Sequence, residues 1–316
     1  MSTARRAFLQ RLRGAHQAAQ HKQLLSAAGA DVASLESARL LRNGLAVTAF
    51  ACFEGFIAAR LREVSSWVNS QSLPTSQIPE TLRVAARKRA PVILAALLER
   101  DRESNDPQID VALKELGHAW ADPAGGAWTL PHVALIWRGS NLSSQTLVEI
   151  LTLFGVISEW SSLAPVSVGA GFSVQATSLT FQEIADRRHK AAHRADHDTD
   201  VVLLRSTPDQ LMSLGYAFDA LLSSAARQIA TGLPLVTGQA AVSQHALEQD
   251  SGDARKWVHR TGHAKDPNAQ LAELEGDFDT VLTLVRSTLH DPRDILIVRR
   301  WEDGQHVGDS WHSMGV

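Results

Sequence analysis

A chain of 316 residues with one cysteine cannot close an internal disulfide. Cys52 stands in the apolar run "AFACFEGF" and reads as a small core side chain, with a reducing cytoplasm as the simplest compartment. Long hydrophobic runs are also missing. No stretch reaches membrane-spanning length, and the first residues lack the apolar block of a secretory signal, so the expectation is a soluble protein with no membrane partner. Net charge is scarce too, at −3, which excludes a uniformly basic nucleic-acid coat and leaves such binding to local patches. Three patches exist: "ARRAFLQRLRG" near the start, "RVAARKR" at 83–89, and "EIADRRHKAAHRADHDTD" at 183–200. Neither an internal repeat nor a coiled-coil heptad is present.

What fills the chain is helical periodicity, over residues 1–235. The first thirty residues are Arg-rich and acid-free, like an organellar targeting peptide, but Phe8, Leu9 and Leu12 at helical spacing make them a first amphipathic helix. In 36–68, Leu40, Leu41, Leu45, Val47, Ala51, Phe53, Phe56, Ile57 and Leu61 predict a long buried helix. Pro79 and Pro91 predict a helix pair or a kinked helix over 79–101, and the Gly/Pro-rich segment 117–133 predicts a loop. Ser143 or Ser144 caps a helix carrying Leu147, Ile150, Leu151 and Phe154. An irregular stretch follows at 164–178; its lone Gly169-x-Gly171 lacks the strand-turn-helix setting of a phosphate loop. A further helix is expected over 206–232, with Ser206 or Thr207 as cap, Pro208 in its first turn and Gly232 after its end. Residues 233–252 look like a linker. Beyond it lie a helix around 268–288 and a small hairpin turning at Asp303-Gly304, which makes 253–316 a small α+β appendage to a helical domain over 1–232.

The segment 183–200 packs three histidines, four Lys or Arg and five acidic residues into eighteen positions. At about 100° per residue, Phe181, Ile184, Ala185 and Ala192 form a core-facing stripe with Arg188 in its middle. An unpaired guanidinium is too costly to bury, so Arg188 needs an acidic partner, a cleft or a second subunit. His189 and His193, four apart, share one flank. Arg188 and His193 diverge by about 140° on an ideal helix, so they converge on one substrate only if the helix loosens near Ala192 or two copies pair.

"RRHKAAH" at 187–193 resembles the R-x4-6-H signature of the HEPN superfamily of all-helical ribonucleases. The long helix around "VTAFACFEGFIAARLRE", the "SNLSSQTLVEILTLFGV" helix and the "ADRRHKAAH" context resemble bacterial HEPN families of toxin-antitoxin and anti-phage systems. The resemblance spans roughly residues 1–232. It implies an all-α, HEPN-like bundle and a metal-independent endoribonuclease, with no cofactor, that dimerises so that both motifs line one cleft. Carried over, His193 is the general acid/base at the RNA 2′-hydroxyl or leaving oxygen. Arg188 holds the scissile phosphate with its donor fork, and His189 occupies the family's polar position. Arg187, Lys190 and Arg194 are the accompanying RNA contacts. RNA, a second copy of the chain, and an antitoxin or other defence-system protein are the implied partners. The chain departs from the family where it carries His189 in place of the frequent Asn and Arg194 in place of the frequent Gly.

Other readings of the same residues exist. The three histidines are surface residues on a solvated helix if Arg188 has no function, and a non-catalytic HEPN bundle would bind RNA, nucleotide or a partner protein. A metal site at His189 and His193 lacks the HExxH glutamate and has Arg188 and Lys190 beside it to repel a cation. "DHDTD" fails as a calcium loop at Val201 and Thr207, and fits a solvated helix stop better. Glu54, alone in a long apolar helix, is either a buried partner for Arg188 or a bundle-edge carboxylate. His259, His263, His306 and His312 show no spacing that compels a site.

Overall fold

The computed structural model describes residues 2–24, 31–100, 107–121, 127–137, 141–157, 159–236, 242–262, 269–302 and 305–313. Its bundle opens with α1 (Thr3–Ala19), capped by Ser2, which buries Phe8, Leu9 and Leu12. The 39-residue α2 (Val32–Ser70) follows, capped by Asp31, and packs on α1, α8 (Ser178–His193) and α9 (Val201–Thr231). By length and composition alone α2 could cross a membrane; within this fold 44% of its apolar window is buried. Phe53, Phe56, Ile57 and Leu61 are interior as expected. Leu40 and Leu41 are not: they are 61% and 48% exposed. Gly44, Thr48, Ala51 and Gly55 continue that exposed face toward the middle of the helix.

Between α2 and α8 the chain forms α3 (Glu80–Val84), α4 (Ala90–Arg100), α5 (Pro107–Ala121), α6 (Ser144–Leu153) and α7 (Glu159–Gly169). The break expected around Pro91 is a π-helical turn at Ala85–Arg89. Pro91 has no N–H and crowds the carbonyl a turn earlier, and the wider turn relieves this. Ser143 caps α6 by accepting the Thr146 N–H at 3.1 Å. Two expectations fail by extent: α5 runs through 117–121, and α7 occupies 159–169 despite Pro165. The start of α9 is also earlier than expected, because Asp200 caps it, accepting the Val202 N–H at 2.6 Å, so Pro208 lies inside the helix. Gly232 ends it in the left-handed region, φ 68°. Gly215 lets α1 approach closely, since a Cβ there would sit 2.6 Å from the Phe8 ring.

The C-terminal part is a five-stranded mixed sheet, order β3-β2-β1-β4-β5, made of β1 (Ser243–Gln249), β2 (Lys256–Thr261), β3 (Gln270–Glu275), β4 (Asp294–Glu302) and β5 (Gln305–Ser313). Only the β1–β4 pairing is parallel. β1 lies within the expected linker. It escapes notice because it buries His245 and Glu248 beside Ala246 and Leu247, with His245 on Asp294 and Glu248 on Arg299 and Arg260, so no apolar run marks it. The helix expected around 268–288 divides into β3 and α10 (Phe278–Ser287). The β4–β5 hairpin is present, and Asp303-Gly304 itself lies outside the described residues.

One face of the sheet packs under α10. The other sends Ala246, Ile295, Ile297 and Trp311 into the core of the bundle. Phe8 stacks on Phe56 at 4.3 Å, and Trp311 meets both edge-on at 6.4 and 6.0 Å. Beneath them Asp219 is fully buried. It accepts Arg5 Nε at 2.5 Å, Arg60 Nε at 2.6 Å and Trp311 Nε1 at 2.6 Å, while Arg5 also donates to Ser313 Oγ at 2.7 Å. Burial alone would raise the Asp219 carboxyl, but the guanidinium groups of Arg5 and Arg60 outweigh it and hold the group below the usual carboxylate range. Arg5, part of the N-terminal basic patch in sequence, is therefore interior. The expected appendage shares its core with the helices.

Candidate functional site

Thr177 starts α8 by accepting the Thr180 N–H at 3.1 Å. Phe181 and Ile184 then anchor it, Phe181 lying against Phe50, Phe53 and Trp160 with ring centroids 5.8 to 6.3 Å apart. The interior arc of the helix continues to Arg187, which is 8% exposed and donates from Nη1 to Thr207 Oγ1 at 2.6 Å and to Leu203 O at 3.3 Å. Burial lowers its pKa. Arg187, expected as an RNA contact, thus spends Nη1 on α9 while also lining the cleft described below. Ala192, expected on the core stripe, is exposed.

Arg188 is half-buried, and its Nε is enclosed without a hydrogen-bond partner among the described residues. Its charge acts on Glu54 of α2. Glu54 is half-buried and accepts the Leu142 N–H on Oε1 at 2.6 Å. Burial pushes its carboxyl up, while the Leu142 bond and the charge of Arg188 pull it back. The two side chains are electrostatic neighbours, with no ion pair between them among the described residues. Glu54 is thus placed beside Arg188 without consuming its donors.

His189, Lys190, His193 and Arg194 are exposed, and the two imidazole rings stand 4.8 Å apart. The helix stays regular through His193; Arg194 is its first extended residue, donating its N–H to Lys190 O at 2.9 Å. No loosening near Ala192 swings His193 toward Arg188.

Beyond the helix the acidic residues have separate tasks. Asp198 takes a bidentate contact from Arg42, Nε and Nη2 each at 2.7 Å. Asn43 donates to His197 O at 2.7 Å and accepts from Thr199 N and Oγ1 at 3.1 and 2.8 Å. Arg39 also donates to Ala195 O. Sequence reasoning missed this clamp. Its signal was the polar pair Arg42-Asn43 interrupting an apolar helix. On this flank lies a cleft of about 440 Å³ bordered by Glu183, Asp186, Asp198, Asp200, Arg187 and Lys190. Four acids against two cations make it unfavourable for phosphate. The electropositive flank is the other one, with His189, His193 and Arg194.

Residues 17–218 match the family model described as RiboL-PSP-HEPN. The chain belongs to the RiboL-PSP-HEPN family. HEPN domains are generally ribonucleases or nucleotide-binding domains, and the R-x4-H spacing of Arg188 and His193 lies within the matched region, as do Glu54 and the Arg42-Asn43 clamp. No curated protein and no solved structure matches the chain. Most of α1, the end of α9 and the entire sheet fall outside the family match, although they share its core.

Proposed function

We propose that this HEPN domain is a metal-independent endoribonuclease whose cleft forms between two copies of the chain. The observation that carries the reading is the straightness of α8. Within one chain Arg188 and His193 point about 140° apart, so a partner's motif must supply the opposing group. Support comes from the exposed face of α2 at Leu40, Leu41, Gly44, Thr48 and Ala51, which carries no charged side chain of its own and ends at Gly55 beside Arg11, on the helix that also carries Glu54. Contiguous exposed apolar surface of this kind favours association.

In the composite cleft, His193 takes the proton of the RNA 2′-hydroxyl or protonates the leaving oxygen. Arg188 binds the scissile phosphate and stabilises the charge that develops on it, with Glu54 fixing where the guanidinium waits. His189 supplements His193 across the 4.8 Å ring contact, and Arg194 holds a flanking phosphate, whereas Lys190 borders the acid-lined cleft. This reading makes the chain a cytoplasmic toxin or anti-phage effector acting on RNA, with an antitoxin or other defence protein as its regulator.

The test uses purified protein in chelator. Wild type cleaves RNA; His193→Ala and Arg188→Ala each lose cleavage; co-assembled dimers of the two variants regain part of it, because one composite site is intact. Retained cleavage in His193→Ala defeats the mechanism. Failure of the mixed dimers to recover defeats the shared cleft. RNA binding of wild-type strength with no product assigns the chain to the non-catalytic binding class.

A further inference from the structure

Three adjacent strands place one polar side chain each on the α10 side of the sheet: His245 on β1, His259 on β2 and Asp294 on β4. His245 and Asp294 are 8% and 5% exposed. His245 Nε2 lies 3.2 Å from Asp294 Oδ1, and Asp294 Oδ2 accepts the Asp291 N–H at 2.9 Å. The other nitrogen of His245, Nδ1, faces His259 Nε2 at 3.3 Å. The pair opens on a cleft of about 320 Å³ whose other walls include Thr261, Gln270, Leu271 and Thr288.

The protonation states follow from the contacts. A carboxylate accepts but does not donate, so in the neutral His245 ring Asp294 keeps the proton on Nε2 and leaves Nδ1 as the lone pair. That lone pair is aimed at a second imidazole nitrogen. Two nitrogens bound to one tetrahedral metal at about 2.0–2.1 Å stand about 3.3 Å apart, which is the separation found here. A carboxylate holding the remote N–H of a histidine is the usual outer support of a metal-bound imidazole. The surroundings favour a cation: among the described residues no Lys or Arg lines the cleft, and Thr288 ends α10, whose C-terminus carries partial negative charge.

We propose that His245 Nδ1 and His259 Nε2 form a binding site for a divalent transition metal of the zinc class, oriented by Asp294 and separate from the HEPN cleft. Among the described residues no further His, Cys, Asp or Glu completes a three-ligand set. Water fills the remaining positions, which makes the site exchangeable and weaker than a closed structural centre. Metal here would brace β1 against β2 without taking part in RNA cleavage.

The test is calorimetric titration of the chelator-stripped full-length chain with zinc chloride. A His189→Ala background removes the competing histidine pair on α8. One zinc per chain is expected, lost in His259→Ala and weakened 10- to 100-fold in Asp294→Asn, with circular dichroism showing both variants folded. Cobalt(II) should give the intense visible absorption of a tetrahedral site, absent in His259→Ala. No saturable binding, or binding unchanged by His259→Ala, overturns the proposal and leaves an N–H···N hydrogen bond between the two rings.

Discussion

Two clusters of arginines and carboxylates occur in this molecule, and they obey opposite rules. The one on α8 and its following loop is contiguous in sequence, mostly exposed, and leaves His193, Lys190 and Arg194 facing solvent. The one at Asp219 draws Arg5, Arg60 and Asp219 from positions scattered along the chain, excludes water, and satisfies the carboxylate with four donors, from Arg5, Arg60, Trp311 and Ser223. Charge dense in sequence stays where ligands arrive; charge dispersed in sequence and gathered in the core fixes architecture. Arg187 and Arg188 repeat the contrast one residue apart. The first spends Nη1 on α9, and the second keeps its fork beside Glu54.

The largest effect that bears on this contrast is at Asp219. Asp219→Asn removes the buried carboxylate that Arg5 and Arg60 share and leaves the part-exposed Glu63 as the remaining acid on Arg60, and breaking a buried pair typically costs about 3–5 kcal/mol. The urea midpoint should fall accordingly, whereas Arg188→Ala should move stability by no more than about 1 kcal/mol. Comparable losses in the two variants would erase the distinction between the clusters.

Arg188→Ala should instead register in chemistry. Loss of one preorganised donor to a developing phosphate charge lowers cleavage by about 10²–10³-fold. Arg187→Ala should invert the pattern, losing stability through Thr207 and Leu203 with a smaller effect on the cleavage rate of the folded fraction. Single-turnover kinetics beside denaturant melts would separate them. An Arg187 variant that is fully stable and inactive would return that residue to the RNA surface.

Much of this was legible in the sequence, for identifiable reasons. Caps are local, so Ser143 and Gly232 marked helix ends correctly, and the arginine-histidine spacing on α8 drew attention to the exposed cluster. The Asp219 network was not read because its partners on α1, α2 and β5 meet only after folding. A lone acid in the apolar "YAFDALL" was the available clue. β1 hid for the same reason, since its buried His245 and Glu248 are paired by other strands. Leu40 and Leu41 misled in the opposite direction: periodicity reports an apolar face but not whether this chain covers it.

A pH dependence sharpens the contrast from the side of the sheet. His312 on β5 is 6% exposed, and burial pushes its imidazole down to about 3. The native state therefore refuses a proton that the unfolded chain takes up below about 6.5, and stability should fall as pH drops from 6.5 toward 3 by up to about 1.4 kcal/mol per pH unit. His259, also held below its ordinary value by burial and by His245, adds to the same slope. Asp219 works in a separate window. Its depressed carboxyl contributes stability that is complete above pH 4 and lost only at more acid pH. Denaturant midpoints at pH 7, 6 and 5 should follow the histidines, and His312→Leu should flatten the line. An unchanged slope in that variant would move the titration elsewhere.

The smallest effect expected is at the clamp that joins the exposed cluster to the bundle. Asn43 holds His197 O and both the amide and hydroxyl of Thr199, while Arg42 holds Asp198, so the loop leaving α8 is fixed from α2 by two adjacent side chains. Asn43→Ala deletes the neutral half of that clamp and should cost about 1 kcal/mol, the net value of a few partly compensated hydrogen bonds. The Arg42–Asp198 contact, half in water on the Asp198 side, should contribute less. Hydrogen exchange is the sensitive measurement, because local opening of 195–200 should accelerate at the Thr199 amide while amides around Phe218 in the interior of α9 keep their protection. If both segments accelerate together, the loop belongs to the cooperative core, and the exposed cluster is architectural after all.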